Sequence, residues 1–80
     1  MNHFATSADK QRAILLKALQ QGPVSTIYAR ESLGIPHPAG RAFELRASGV
    51  ALQTLKTWET DISGKSHLVA QYALGGVQHG

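Results

Sequence analysis

Two prolines separated by a single residue stand near the middle of the chain, in the segment Gly34-Ile35-Pro36-His37-Pro38. Each proline lacks an amide hydrogen and biases the residue before it away from helical dihedral angles, so no helix can run through this segment. Pro38 suits the first position of a new helix, with His37 as its cap and Gly49 beyond its end. The segment therefore predicts a turn followed by a short helix over about residues 37–48.

This short helix has few large apolar residues. On a helical wheel Pro38, Ala42, Leu45 and Gly49 fall along one side, and Leu45 is the only large aliphatic side chain within the helix body. We expect this narrow apolar stripe to pack on the rest of the protein. We also expect the side of the helix that carries Arg41 to be free for a partner.

Two helices and a short strand precede the prolines. Apolar residues at helical spacing predict a first helix from about residue 8 to 21, stopped by Gly22-Pro23. Val24-Ser25 is long enough only for a bridging strand. A second helix is predicted from about residue 26 to 33, with Gly34 ending it in a left-handed conformation.

A β-hairpin is predicted after Gly49, where the apolar period changes to two. The strands are expected at about 50–58 and 66–74, joined by a polar loop over 59–65. Four residues are expected to face the helices: Val50, Leu52, Tyr72 and Leu74. The pattern predicts an α+β fold of three helices followed by a C-terminal hairpin, as one domain over 1–80 with an ordered core at about 8–74 and flexible termini.

Composition narrows the class of protein. The chain has no cysteine, which excludes disulfides and thiolate zinc sites, and no apolar run near the length that spans a bilayer. The amino terminus lacks the pattern of a signal peptide, so we expect a soluble, cytoplasmic protein without a membrane partner. The net charge is +3, and all of this excess lies in residues 1–49, which favours a polyanionic partner and a merely solvated surface about equally.

The sequence argues against an enzyme. The four histidines are scattered and show no metal-ligand spacing: His3, His37, His67 and His79. No glycine-rich phosphate loop and no nucleophile motif is present. We therefore expect no catalytic residues, no metal, no cofactor and no small-molecule substrate.

The order of elements resembles that of a winged helix-turn-helix domain, with a glycine-containing turn between the second and third helices. The segments Val24–Ile35 and Arg41–Leu52 resemble the running pattern of that family, in which the second helix ends Leu-Gly-Ile. The stretch Arg-x-x-Glu-Leu-Arg-x-x-Gly at 41–49 is also similar to small helix-turn-helix proteins of prophages and mobile elements. The resemblance covers about residues 8–74 and implies a small transcriptional regulator or excisionase-like factor.

The resemblance also implies how double-stranded DNA would be bound. The helix at about 37–48 would lie in the major groove, and the 59–66 loop would act as the wing. The candidate DNA contacts are Ser25, Thr26, His37, Pro38, Gly40, Arg41, Glu44, Lys65 and His67. Arg41 leads them because its guanidinium can bind a guanine edge or a phosphate in bidentate fashion.

Structural roles compete with these assignments. Arg41 and Glu44 at i, i+3 can form a surface ion pair, Ser25 and Thr26 can cap the second helix, and His37 can cap the third. Lys65 and His67 can serve solubility alone. A protein-interaction module that uses exposed Phe43, Trp58 and Leu55 is the alternative function, and homodimerisation is compatible with either function.

Overall fold

The computed structural model describes residues 7–75 and confirms the α+β class. Within these residues it contains three helices and a three-stranded antiparallel sheet. The elements in chain order are α1 (Ala8–Gln21), β1 (Val24–Ser25), α2 (Thr26–Glu31), α3 (Pro38–Ala47), β2 (Leu52–Thr60) and β3 (Ser66–Leu74). The flexible termini expected from the sequence lie, apart from Ser7 and Gly75, outside the described residues.

Side-chain caps fix the starts of the first two helices. The Ser7 hydroxyl accepts from the amide of Lys10 at the start of α1, and the Ser25 hydroxyl accepts from the amide of Tyr28 at the start of α2, at 3.0 Å. His37 occupies the N-cap position of α3, but its side chain makes no capping hydrogen bond. The expectation that His37 caps α3 therefore holds for its position and is wrong for its side chain.

α2 ends at Glu31 with Ser32 as its C-cap, about two residues before the predicted end, so the expectation that Gly34 ends this helix is wrong. Glycines with positive φ follow both α2 and α3. Gly34 has a φ of 69° after α2, and Ile35 beyond it is fully buried. Gly49 has a φ of 106° after α3, where the amide of Val50 donates to the carbonyl of Leu45 at 3.0 Å. This bond belongs to a Schellman motif, which closes the helix and turns the chain toward the sheet.

The sheet has the strand order β1-β3-β2, so β3 is its central strand. Val24 pairs with Tyr72, and Tyr72 also pairs with Thr54. In the hairpin register Leu52 pairs with Leu74 at the open end, and Thr60 pairs with Ser66 next to the loop. The first hairpin strand therefore lies two residues later than the sequence predicted, because Gly49 and Val50 are used to close α3.

The core lies between the helices and the base of the hairpin. Its buried apolar residues are Leu15, Leu19, Val24, Ala29, Ile35, Ala42, Leu45 and Tyr72. Val50, Leu52 and Leu74 are partly buried and pack against this cluster, so the predicted inward face of the hairpin is confirmed. The far half of the hairpin extends past the core, where Trp58 is 70% exposed. Among the helices of residues 7–75, none has the length and apolar character needed to cross a membrane.

Candidate functional site

The exposed surface of α3 carries several small residues and one aromatic ring. Pro38, Ala42 and Leu45 are buried, which confirms the predicted apolar stripe. Helical geometry places Gly40, Phe43, Glu44 and Ala47 opposite this stripe, with Ala39 at its flank. The side chain of Glu44 is bonded to Arg12 and Arg41, and we call the other four residues, Ala39, Gly40, Phe43 and Ala47, the outward face of α3. Phe43 is 69% exposed. The outward face therefore presents one aromatic ring among residues with little or no side chain.

Arg41 does not lie on this outward face. Its Nη1 donates to Oε1 of Gln11 in α1 at 3.2 Å, and its Nη2 donates to Oε2 of Glu44 at 3.0 Å. Its side chain is only 19% exposed. The expectation that the Arg41 side of α3 is free is therefore wrong, because α1 packs along that flank and Glu44 holds the guanidinium there.

Glu44 is the shared acceptor of a larger network. Nη1 of Arg12 in α1 donates to Glu44 Oε1 at 2.7 Å, and Arg12 also contacts Asp9. We call Asp9, Arg12, Arg41 and Glu44 the α1–α3 network. The hydrogen bond from Arg12, followed by the charge of Arg41, lowers the pKa of the Glu44 carboxyl. Two cations and two carboxylates balance, so the network adds no net charge beside α3.

Two other arginines keep an uncompensated charge near α3. Nε of Arg46 donates to the carbonyl of Leu52 at 3.3 Å, and its Nη2 contacts the hydroxyl of Thr54. Nε of Arg30 in α2 donates to the carbonyl of Pro36 at 3.3 Å. Both arginines are exposed and bind neutral oxygens; Arg46 lies on the flank of α3 beside the outward face, and Arg30 lies beside the turn that precedes α3.

Arg46 and Arg30 were not among the predicted DNA contacts, although the sequence left a phosphate or a carboxylate such as Glu44 open as a partner of Arg46. Arg46 follows Phe43 by three residues, so the helical wheel could have placed it on the flank opposite Arg41. Arg30 could not be placed in advance, since its position depends on the path of the turn through Pro36.

Three of the predicted contacts have roles within the fold. Ser25 is 5% exposed and caps α2, and Pro38 is fully buried. The hydroxyl of Thr26 donates to the carbonyl of Ala70 in β3 at 3.0 Å, which ties α2 to the sheet. His37 is exposed at the start of α3, and a Cβ added at Gly40 would lie 3.8 Å from the Cβ of His37.

The tip of the hairpin is organised by one carboxylate. Oδ1 of Asp61 accepts from the amide and hydroxyl of Ser63, at 2.9 and 2.6 Å, and from the amide of Lys65 at 3.0 Å. Oδ2 of Asp61 lies 2.7 Å from Nε2 of His67. These bonds, with the Ser63 hydroxyl foremost, lower the pKa of Asp61 well below its usual range. The structure thus brings the predicted residues Lys65 and His67 together at one ordered tip.

The site has no arrangement that suggests a metal centre. Within residues 7–75, no group of three or more His, Cys, Asp or Glu side chains is placed to hold a metal ion. The chemistry available at this surface is that of exposed arginine and lysine, a histidine ring and an exposed phenyl group.

Comparison with known protein families identifies one to which the chain is similar over most of its length. The sequence pattern of the winged helix-turn-helix domain matches residues 10–77, which include nearly all of α1 and the whole of the hairpin. No curated protein and no solved structure shows a significant match to the chain.

Proposed function

We propose a specific mode of DNA binding for this chain, which belongs to the winged helix-turn-helix domain family. Membership of that family indicates nucleic-acid binding in general. In our proposal α3 lies in the major groove of double-stranded DNA, and the hairpin of β2 and β3 contacts the flanking backbone as a wing.

The observation that carries this proposal is the outward face of α3, with the exposed Arg46 on its flank and the exposed Arg30 beside the turn before it. The major groove is wide enough to admit a helix, provided that side chains on the approaching face leave room. Ala39 and Gly40 in the first turns of α3 leave that room, where groove-binding helices make their base contacts. In this proposal Arg46, on the flank of α3, and Arg30, beside the turn before α3, bind phosphates.

The predicted contacts divide into two groups in this proposal. His37 and Gly40 approach the bases, while Lys65 and His67 at the hairpin tip approach phosphates. Arg41 and Glu44 act through the α1–α3 network by setting the direction of α3. Ser25, Thr26 and Pro38 hold the scaffold, as their contacts within the fold support.

We extend the proposal to a small transcriptional regulator or an excisionase-like factor of the cytoplasm, without a catalytic role. The resemblance to helix-turn-helix proteins of prophages and mobile elements supports this role. One short reading helix covers few base pairs, so two copies on adjacent half-sites would gain both affinity and specificity. A homodimer on DNA is therefore part of the proposal.

A salt titration tests the proposal. Binding of a fluorescein-labelled random-sequence duplex is followed by anisotropy at increasing NaCl, and the slope of log Kd against log salt is measured. Each phosphate contact contributes about 0.9 to the slope, so Arg46→Ala and Lys65→Ala should each reduce it by about 1. Lys17→Ala is the matched control, because Lys17 is an exposed cation on α1 outside the proposed surface. A slope near zero for the wild-type protein would refute DNA binding.

A protein-interaction module is the second candidate function, and one observation favours it. Trp58 and Leu68 pair across the hairpin strands and are 70% and 52% exposed. Adjacent large apolar side chains of this kind mark contact surfaces between proteins. Sedimentation of the wild-type protein with and without duplex separates the two functions. A protein-interaction module would self-associate without DNA, and its sedimentation coefficient would not change when duplex is added.

A further inference from the structure

The outward face of α3 can offer a base pair almost nothing but apolar contact. Phe43 is its only large side chain and is 69% exposed. Ala39, Gly40 and Ala47 carry no polar side-chain atoms. Contacts at the centre of this face must therefore come from the ring of Phe43, from the small methyl groups of Ala39 and Ala47, or from the main chain, and Phe43 has by far the longest reach.

The neighbouring polar side chains are directed elsewhere. Arg41 and Glu44 bond within the α1–α3 network, and Arg46 bonds to the main chain and a hydroxyl of β2. Hydrogen-bond donors and acceptors thus surround the outward face without projecting from its centre.

From this geometry we infer that Phe43 contacts the C5-methyl groups of thymine, and that the protein prefers sites in which thymine faces the middle of α3. The inference rests on the DNA-binding role proposed above. In the major groove thymine alone presents an apolar group, whereas the other bases present hydrogen-bond donors and acceptors that Phe43 cannot satisfy.

Charge and size both favour DNA over a protein as the occupant of this face. Arg46 on the flank of α3 and Arg30 beside the turn before α3 are exposed and bind neutral oxygens, so their charges complement phosphate. A stable protein interface needs about 800 Å² from each partner, far more than one phenyl ring and three small residues supply. A methyl contact in a groove needs only one such ring.

The test compares DNA with and without the thymine methyl group. The probes are fluorescein-labelled 20-base-pair duplexes of random A·T sequence, prepared either with thymine or with uracil, which lacks only that methyl. The wild-type protein should bind the thymine pool about fourfold more tightly for each methyl buried. Phe43→Ala should bind both pools with one affinity, and Phe43→Leu should keep part of the preference. Far-UV circular dichroism verifies that the variants fold, as the exposure of Phe43 leads us to expect.

Leu55→Ala is the control, because Leu55 is an exposed apolar residue on β2 and should leave the preference for thymine unchanged. Equal wild-type affinity for the two pools, or an undiminished preference in Phe43→Ala, would overturn the role of Phe43. The proposed function would still stand in that case, provided that binding depended on salt. Failure to bind either pool at low salt would refute both.

Discussion

Arg12 and Glu44 stand 32 residues apart in the sequence, and their side chains are joined by a 2.7 Å hydrogen bond between α1 and α3. Arg41 binds the same carboxylate from within α3. Glu44 thus links α3 to α1. In the proposed complex, α1 would act through this bond on the helix that enters the groove.

Replacing Glu44 tests this coupling. Glu44→Gln removes the charge that both arginines share, so the urea midpoint of unfolding at pH 7 should fall further than in Glu31→Gln, which alters an exposed carboxylate on α2. The pKa of Glu44 is lowered by folding, so its stabilising effect is present above the ordinary value near 4.5 and is lost as the pH falls through the lowered pKa. Urea unfolding at several pH values should show the two variants converging in acid. Equal midpoints at pH 7 would contradict a coupling role for Glu44.

Gly40 should show opposite effects on stability and on binding. It lies within α3 at ordinary helical dihedral angles, and an added Cβ would make only a normal contact with His37. Gly40→Ala should therefore raise the free energy of unfolding by about 0.5–1 kcal/mol. The same methyl would stand on the outward face, so affinity for duplex DNA should fall. Urea unfolding and anisotropy on one protein sample measure both, and unchanged affinity would remove Gly40 from the proposed contact surface.

Gly49→Ala should have the reverse effect on stability. Gly49 has a φ of 106° and an added Cβ would meet nothing within 4 Å, so the cost is one of backbone strain alone. We expect the free energy of unfolding to fall by about 1–2 kcal/mol, because alanine would be strained in the positive-φ conformation that the Schellman motif requires at this position. Chemical denaturation beside Gly40→Ala provides the comparison, and a neutral result would mean that the chain after α3 can relax.

Most of the fold could be predicted because its boundaries are set by local signals. Gly22-Pro23, the two prolines and Gly49 each act within a few residues, and the element order follows from them. The predicted start of β2, at about residue 50, was two residues too early. The amide of Val50 donates to the carbonyl of Leu45 at 3.0 Å and so closes α3 instead of opening the strand, a use of Val50 that a period of two does not reveal.

The site was harder to predict because a helical wheel shows angles within one helix and not the position of its neighbours. The wheel correctly gave the buried stripe of Pro38, Ala42 and Leu45. It could not show that Gln11 and Arg12 of α1 lie along the Arg41 flank. Arg41 was therefore predicted as a DNA contact although its guanidinium is bonded to Gln11 and Glu44 within the fold.

Asp61 should control the order of the hairpin tip. Asp61→Asn weakens the acceptor for the amides of Ser63 and Lys65, so amide hydrogen exchange at Lys65 should become faster at neutral pH. In the wild-type protein the pKa of Asp61 lies below its ordinary value near 3.8, so the tip should keep this protection until the pH falls below that value. Ile62→Ala, which alters an 89% exposed side chain at the same tip, is the control. Loss of Lys65 protection already between pH 7 and 5 would contradict this account.

Trp58 offers a direct measure of whether the hairpin associates with another copy of the chain. It is the single tryptophan and is 70% exposed, so its fluorescence should be readily quenched by acrylamide in dilute solution. If the hairpin does not contact a second copy of the chain, quenching should stay the same as protein concentration rises from micromolar to millimolar. Trp58→Ala should then leave the affinity for duplex DNA within about twofold, because Trp58 would lie at most at the rim of the DNA-binding surface, where substitutions cost little. Protection of Trp58 at high concentration, with a sedimentation shift that Trp58→Ala abolishes, would instead establish the hairpin as an interface between copies.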